Sequence, residues 1–270
     1  MSKPCQTCFA PRTDLADVLR EEAENLVAAY GWTGGERVLS NIKHERTVIN
    51  IHAHLAVLRV AQILTFPGTE WPKPRLEERC RLHPARGPHD VVLPLGEGQR
   101  VIVEIRRFDH ATAAGDVVEE KTTTYVCKHQ PLPDDNSPEL LKEIKDDPEK
   151  SKGRLALVLE AINEKQNQLD PSGINVIWFV TRNSMCQPEI VVEDIPWYYK
   201  QLECPYQRPE HLTALAWSFD GPSGPCVDSY LFGALGICAL LNSCPILEDR
   251  MKAVGIRVTS PNVSEAESVD

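Results

Sequence analysis

No stretch of this chain is long and apolar enough to cross a bilayer comfortably. The longest uncharged apolar run, YLFGALGICALLNSC from Tyr230 to Cys244, is too short and too rich in glycine, and reads as a buried helix. Membrane insertion is therefore not expected. Positive charge is also short: the formal net charge is -10, so nucleic acid could be met only by a local basic groove. The opening MSKPCQTC has neither the basic nor the apolar region of a secretory signal. The chain has no GxxxxGK[ST] loop, and GWTGG (Gly31 to Gly35) lacks the preceding strand of a dinucleotide loop, which argues against nucleoside-triphosphate hydrolysis. Nine cysteines at irregular spacing make an odd number, so a reduced cytoplasmic protein is expected rather than a disulfide scaffold.

What is present is an ordinary globular composition, 42% hydrophobic and 25% charged over 270 residues, enough for one large domain or two smaller ones. Asp14 to Tyr30 has helical spacing with Asp14 as N-cap, and GWTGG breaks it. A second, more apolar helix is predicted from about Ser40 to Thr65, with Val48, Ile51, Leu55 and Leu58 at intervals of three and four. The period then changes. PRLEERCRLH, DVVLPL, RVIVEIRRF and KTTTYVC have strand composition. Residues 131–153 read as a charged, proline-punctuated loop with a short helix, SKGRLALVLEAINEKQNQL as a helix, and INVIWFVT as a strand covered on both faces. EIVVEDI is a further strand candidate. The sequence thus predicts an α/β protein with a central mixed sheet flanked by helices. The expected division is an N-terminal helical segment (1–39), an α/β core (40–195), a C-terminal extension packed on it (196–259) and a disordered tail (260–270).

GPHDVVLPLGEGQRVIVEIRRF places one acid in each of two apolar runs, Asp90 and Glu104. A three-residue loop at Gly96-Glu97-Gly98 makes the runs a hairpin and sets Asp90 opposite Glu104, their Cβ atoms roughly 5 Å apart. Ile102, Glu104 and Arg106 then share one face, and Val101, Val103 and Ile105 the other. Two carboxylates so close need a proton or a cation between them. Two readings stay open: with a backbone carbonyl and waters they form a hard oxygen site for Mg²⁺ or Mn²⁺, or Arg106 or Arg107 neutralises them in a salt-bridge network.

The strand entered by GPHD, the hairpin and VIVEIRR together resemble the PD-(D/E)xK nuclease superfamily over roughly residues 40 to 182. The resemblance implies a restriction-endonuclease-like αβββαβ core with a C-terminal extension, and Mg²⁺-dependent cleavage of nucleic-acid phosphodiesters. By position it makes Asp90 and Glu104 metal ligands, joined by the Ile105 carbonyl and by Glu45 from the core's first helix. It places Arg106 where the family has lysine. Arginine stays protonated and cannot act as a base, so its part is electrostatic, with Lys121 as a candidate displaced lysine. Pro88 also stands two residues before Asp90 rather than immediately before it. Competing readings are an inactive protein of the same fold that binds nucleic acid or a protein partner, and an unrelated binding or assembly module.

Other candidates are weaker. Cys5-x2-Cys8 with Cys80-x2-His83 would be a zinc site with a long gap, and free thiols are the better reading. His52 and His54 are two apart on a helix and cannot chelate together, and with His44 they read as packed or partly exposed. Lys73, Arg75, Arg79, Arg81, Arg86, Arg100, Arg106 and Arg107 surround the acid pair and would suit phosphate contacts, though Glu77, Glu78, Glu97 and Asp109 offset them. A homo-oligomer is left open.

Overall fold

The structure, a computed structural model, describes residues 12–65, 72–79, 88–96, 98–108, 148–181, 188, 190–200, 206–219 and 236–260. Three helices come first: α1 (Arg12–Tyr30), α2 (Gly35–His44) and α3 (Val48–Leu64). They are followed by β1 (Arg75–Arg79), β2 (Pro88–Gly96) and β3 (Gln99–Phe108), then α4 (Pro148–Lys165) and β4 (Ile174–Thr181). A π-turn (Ile190–Asp194) leads into the short α5 (Ile195–Tyr198), and β5 (Leu212–Phe219), β6 (Ile237–Leu240), α6 (Pro245–Ala253) and β7 (Arg257–Thr259) complete the order.

Among the described residues seven strands form one sheet in sequence order. β1, β2 and β3 are an antiparallel meander, β4 and β5 run parallel to β3, β6 is antiparallel to β5, and β7 is parallel to β6. The protein is therefore α/β with a mixed sheet flanked by helices, as its sequence predicts. One face carries α1–α3 and α6, packed on Val91, Leu93, Val101, Val103, Ile105, Trp178 and Val180. The other face carries α4 and the π-turn, packed on Ile177, Phe179, Leu215 and Trp217. β4 is buried on both faces, which is why INVIWFVT is apolar throughout rather than alternating. Among the described residues no helix is long and apolar enough to cross a membrane.

Several boundaries differ from the sequence prediction, each for a local reason. α1 starts at Arg12, so Asp14 lies inside it and does not cap it. The single helix over 40–65 is two helices. Thr47 caps α3 by accepting from the Asn50 N–H, and Arg20 Nη2 takes the Glu45 carbonyl between them at 3.0 Å. α2 begins earlier, from Gly34 at φ 88, where an added Cβ would stand 2.0 Å from the Leu76 carbonyl oxygen. That close approach joins GWTGG to β1, with Leu76 N–H donating to the Thr33 carbonyl.

The hairpin loop is two residues rather than three, because Gly96 pairs with Gln99, with Gly98 at φ 79. The extra residue is absorbed as a shift between Pro94 and Gly96, beside a proline that has no N–H for the ladder. EIVVEDI is not a strand: Ile190, Val191 and Ile195 bury one side of a helical turn. The described part of the run at 230 is strand β6, not helix, and LTALAWSF forms the interior strand β5, which composition alone did not single out. KTTTYVC, most of the 131–153 loop and the tail beyond Ser260 lie outside the described residues.

Asn175, at the start of β4, holds the junction between α4, β4 and β5. Its Oδ1 accepts from the Asp170 N–H at 2.8 Å, and its amide donates to the carbonyls of Asp170, Gly173 and His211. Asn175 and Asp170 are both fully buried, so the bonds between them have no water to replace them. Asn175→Ala should cost about 2–4 kcal/mol of stability, read as a lower urea midpoint; an unchanged midpoint would show that the junction holds without it.

Candidate functional site: two acids bridged by a lysine

β2 and β3 pair as far as Val91↔Val103, the register the hairpin predicts. Beyond that point the backbone ladder is replaced by a side chain: Asp90 Oδ2 accepts from the Ile105 N–H at 2.7 Å. A strand residue's N–H and C=O point the same way, so the Ile105 carbonyl is also directed to the Asp90 side. Glu104 aligns with Ile177 of β4 and looks onto the α4 face, while Val103 and Ile105 enter the opposite core. The face assignment read from period two is thus correct. The price of that placement is a carboxylate with no exposed surface.

Lys165 compensates it. Its Nζ lies 3.3 Å from Asp90 Oδ2 and 3.4 Å from Glu104 Oε2. His89 Nδ1 lies 2.7 Å from the other oxygen, Glu104 Oε1, and its ring is buried as well. The side chains grade from 0% exposure at Glu104 through 15% at Lys165 to 27% at Asp90, so the chain of contacts opens toward solvent at Asp90. Burial pushes the Glu104 carboxyl above the ordinary carboxylate value. The His89 hydrogen bond opposes this, the Asp90 charge adds to it, and Lys165 opposes it.

Lys165 was not singled out from sequence, yet a signal is there. Val158, Ala161 and Ile162 of α4 are buried, and position 165 continues their stripe at the next helical interval. A lysine on an apolar stripe needs a buried anion beneath it. The last turn of a helix also favours a cation, because its terminal carbonyls carry partial negative charge.

The remaining candidates are placed as follows. Arg106 does not neutralise the acids; its Nη2 pairs with Glu164 Oε2 at 3.0 Å. Arg107 donates to the Ile49 carbonyl of α3. Glu45 is the C-cap of α2, bonded to Asn50 at 2.9 Å and 3.7 Å from His54 Nε2, and these partners are not the acid pair. His52 is buried and His54 half-buried, as packed histidines are. Of the basic residues of the predicted groove, Lys73 donates to the Tyr30 carbonyl, Arg75 pairs with Glu78, and Arg100 pairs with the buried Asp170. Lys121, Arg81, Arg86, Cys5, Cys8, Cys80 and His83 lie outside the described residues. Among the described residues no group of three or more His, Cys, Asp or Glu is arranged as a metal-binding cluster. The oxygens that Asp90, Glu104 and Ile105 offer are nonetheless the hard donors that suit Mg²⁺ or Mn²⁺.

A raised carboxyl binds more protons folded than unfolded, so its ionisation lowers stability as pH rises above the ordinary carboxylate value. Asp170 has the opposite sign. Burial raises it, but the Ser172 hydroxyl and N–H and the Arg100 charge together hold it low, so its effect falls below that value. Lys165→Met should therefore cost roughly 1–3 kcal/mol near neutrality and lose more stability than wild type between about pH 5 and pH 8. Glu104→Gln should lose less over the same interval. Urea midpoints at the two pH values check this, and equal slopes for all three proteins would refute the coupling. No family model, curated protein or solved structure matches the chain.

Proposed function

We propose that the chain is a metal-dependent nuclease-like protein that cleaves nucleic-acid phosphodiester bonds, on a restriction-endonuclease-like core. The observation that carries this reading is Lys165 Nζ within 3.4 Å of both acids. The strand sequence offers Asp90 and Glu104 but arginine at the lysine position, and α4 returns a lysine to the same two carboxylates from another element. Three residue types that the resemblance calls for thus converge, with the amine in a different place in the sequence.

Asp90, Glu104 and the Ile105 carbonyl would hold Mg²⁺ or Mn²⁺, which when bound supplies charge neutralisation at the phosphoryl oxygens and acidifies a water. The other work belongs to the chain. Lys165 bridges the acid pair in the present structure, and its N–H donors can hold a water or a phosphate oxygen at the partly open end beside Asp90. His89 takes one Glu104 oxygen and so leaves Oε2 as the oxygen directed to Lys165. Arg106 stays protonated and so takes no part as a base. Glu45 has no part in this version of the site.

A second reading has its own support in the same contact. Lys165 already satisfies both acids, as a purely structural ion pair would, which fits a protein of this fold that binds nucleic acid or a partner without cleaving.

Incubation of the purified chain with labelled single-stranded DNA, duplex DNA and RNA in Mg²⁺ or Mn²⁺ separates the two. Cleavage that falls at least about 100-fold in Asp90→Asn, Glu104→Gln and Lys165→Met is expected. Calorimetric titration of Mn²⁺ should show binding that Asp90→Asn or Glu104→Gln removes. No Mn²⁺ binding and no cleavage of any substrate would leave the structural ion pair as the better account.

A further inference from the structure

We infer that Arg106 is the phosphate anchor of this site and that Glu164 is a built-in anion competing with nucleic-acid phosphate for it; the inference rests on the nuclease reading above. Arg106 stands two residues beyond Glu104 on the same face of β3, and Glu164 directly precedes Lys165 on α4. Their ion pair therefore borders the Asp90–Lys165–Glu104 chain on the side toward the end of β3. Its N–O distance is 3.0 Å, and the two side chains are 43% and 53% exposed, far more than Lys165 or Glu104.

The neighbouring guanidiniums are committed elsewhere. Arg100 lies further back on the same face and is held by the buried Asp170, and Arg107 leaves on the opposite side to reach α3. Arg106 is thus the arginine of β3 that an incoming polyanion can reach beside the acids. A guanidinium offers carboxylate and phosphate oxygens the same planar set of donors, so the anion Glu164 supplies can be exchanged for a phosphodiester oxygen. An exposed ion pair opens at small cost, which makes the exchange accessible. While it is closed, Glu164 adds negative charge beside two acids and screens the cation a phosphate would seek. The pair acts as an electrostatic brake on substrate binding.

The test is fluorescence anisotropy of the full chain with a labelled DNA single strand and a labelled duplex in EDTA, where binding is read without cleavage. Glu164→Gln should tighten binding about 2–5-fold and steepen its salt dependence, whereas Arg106→Gln should weaken binding and lower the salt slope by about one. The double variant should show no gain over Arg106→Gln. Glu160→Gln removes the same charge from an exposed position one turn earlier on α4 and should give a smaller gain than Glu164→Gln. If wild type binds but Glu164→Gln does not bind more tightly, or its gain survives without Arg106 or is matched by Glu160→Gln, the competition is refuted and the nuclease reading stands. If no variant binds DNA and wild type cleaves nothing, both fall together.

Discussion

An ionisable carboxylate buried in the middle of a sheet is the constraint around which this structure is arranged. Glu104 has apolar neighbours along β3 and β4 and no exposed surface, so it demands a partner from whatever covers that face. α4 is what covers it, and its last turn brings Lys165 down onto Glu104 and Asp90 together. That landing depends on the turn after the helix. Leu169 and Asp170 are buried, and Asn175 binds the backbone of Asp170, Gly173 and His211, which fixes where α4 ends relative to the start of β4. The same junction thereby sets the reach of the lysine.

The face of β3 under α4 reads as a graded series of ion pairs. Arg100 meets Asp170, whose carboxylate is fully buried and also held by Ser172. Glu104 meets Lys165 in a setting that opens only at Asp90. Arg106 meets Glu164 near the surface. Pairs of the first kind lock geometry, because losing either partner strands a charge away from water. Pairs of the last kind exchange readily with water or with another anion. One strand thus carries a structural pair, a candidate catalytic cluster and an exchangeable pair within seven residues, from 100 to 106.

Much of this was legible in the sequence where side-chain period and local chemistry agree. The alternation in RVIVEIRRF gives the two faces of β3, the glycine-flanked turn gives the hairpin register, and the unbroken apolar run of INVIWFVT marks an interior strand. Reading failed where a local signal was ambiguous or was overruled from a distance. The break between α2 and α3 depends on Thr47 and on Arg20 reaching over from α1, which an apolar period running through 48–64 conceals. Ile190, Val191 and Ile195 have the β-branched composition of a strand but lie in the π-turn and the start of α5. LTALAWSF is an interior strand hidden in a segment crowded with prolines and cysteines.

The sequence by itself determined the acid pair: Asp90 and Glu104 are joined by a short hairpin, and the pleat leaves their side chains one choice of face. It also required that a cation or a proton answer them, since two like charges at that distance do not stand alone in a sheet. The identity of the cation was decided only by tertiary structure. Lys165 is separated from Glu104 by a long crossover and enters from a helix, and no local rule ranks it above Arg106, which is adjacent in the strand. Arg106 is the nearer residue in sequence but is drawn off by Glu164 on the exposed side, whereas Lys165 falls on the buried stripe of α4 and meets the acids inside. Burial rather than proximity along the chain made that choice, because the charge that costs most to leave unpaired is the one farthest from water.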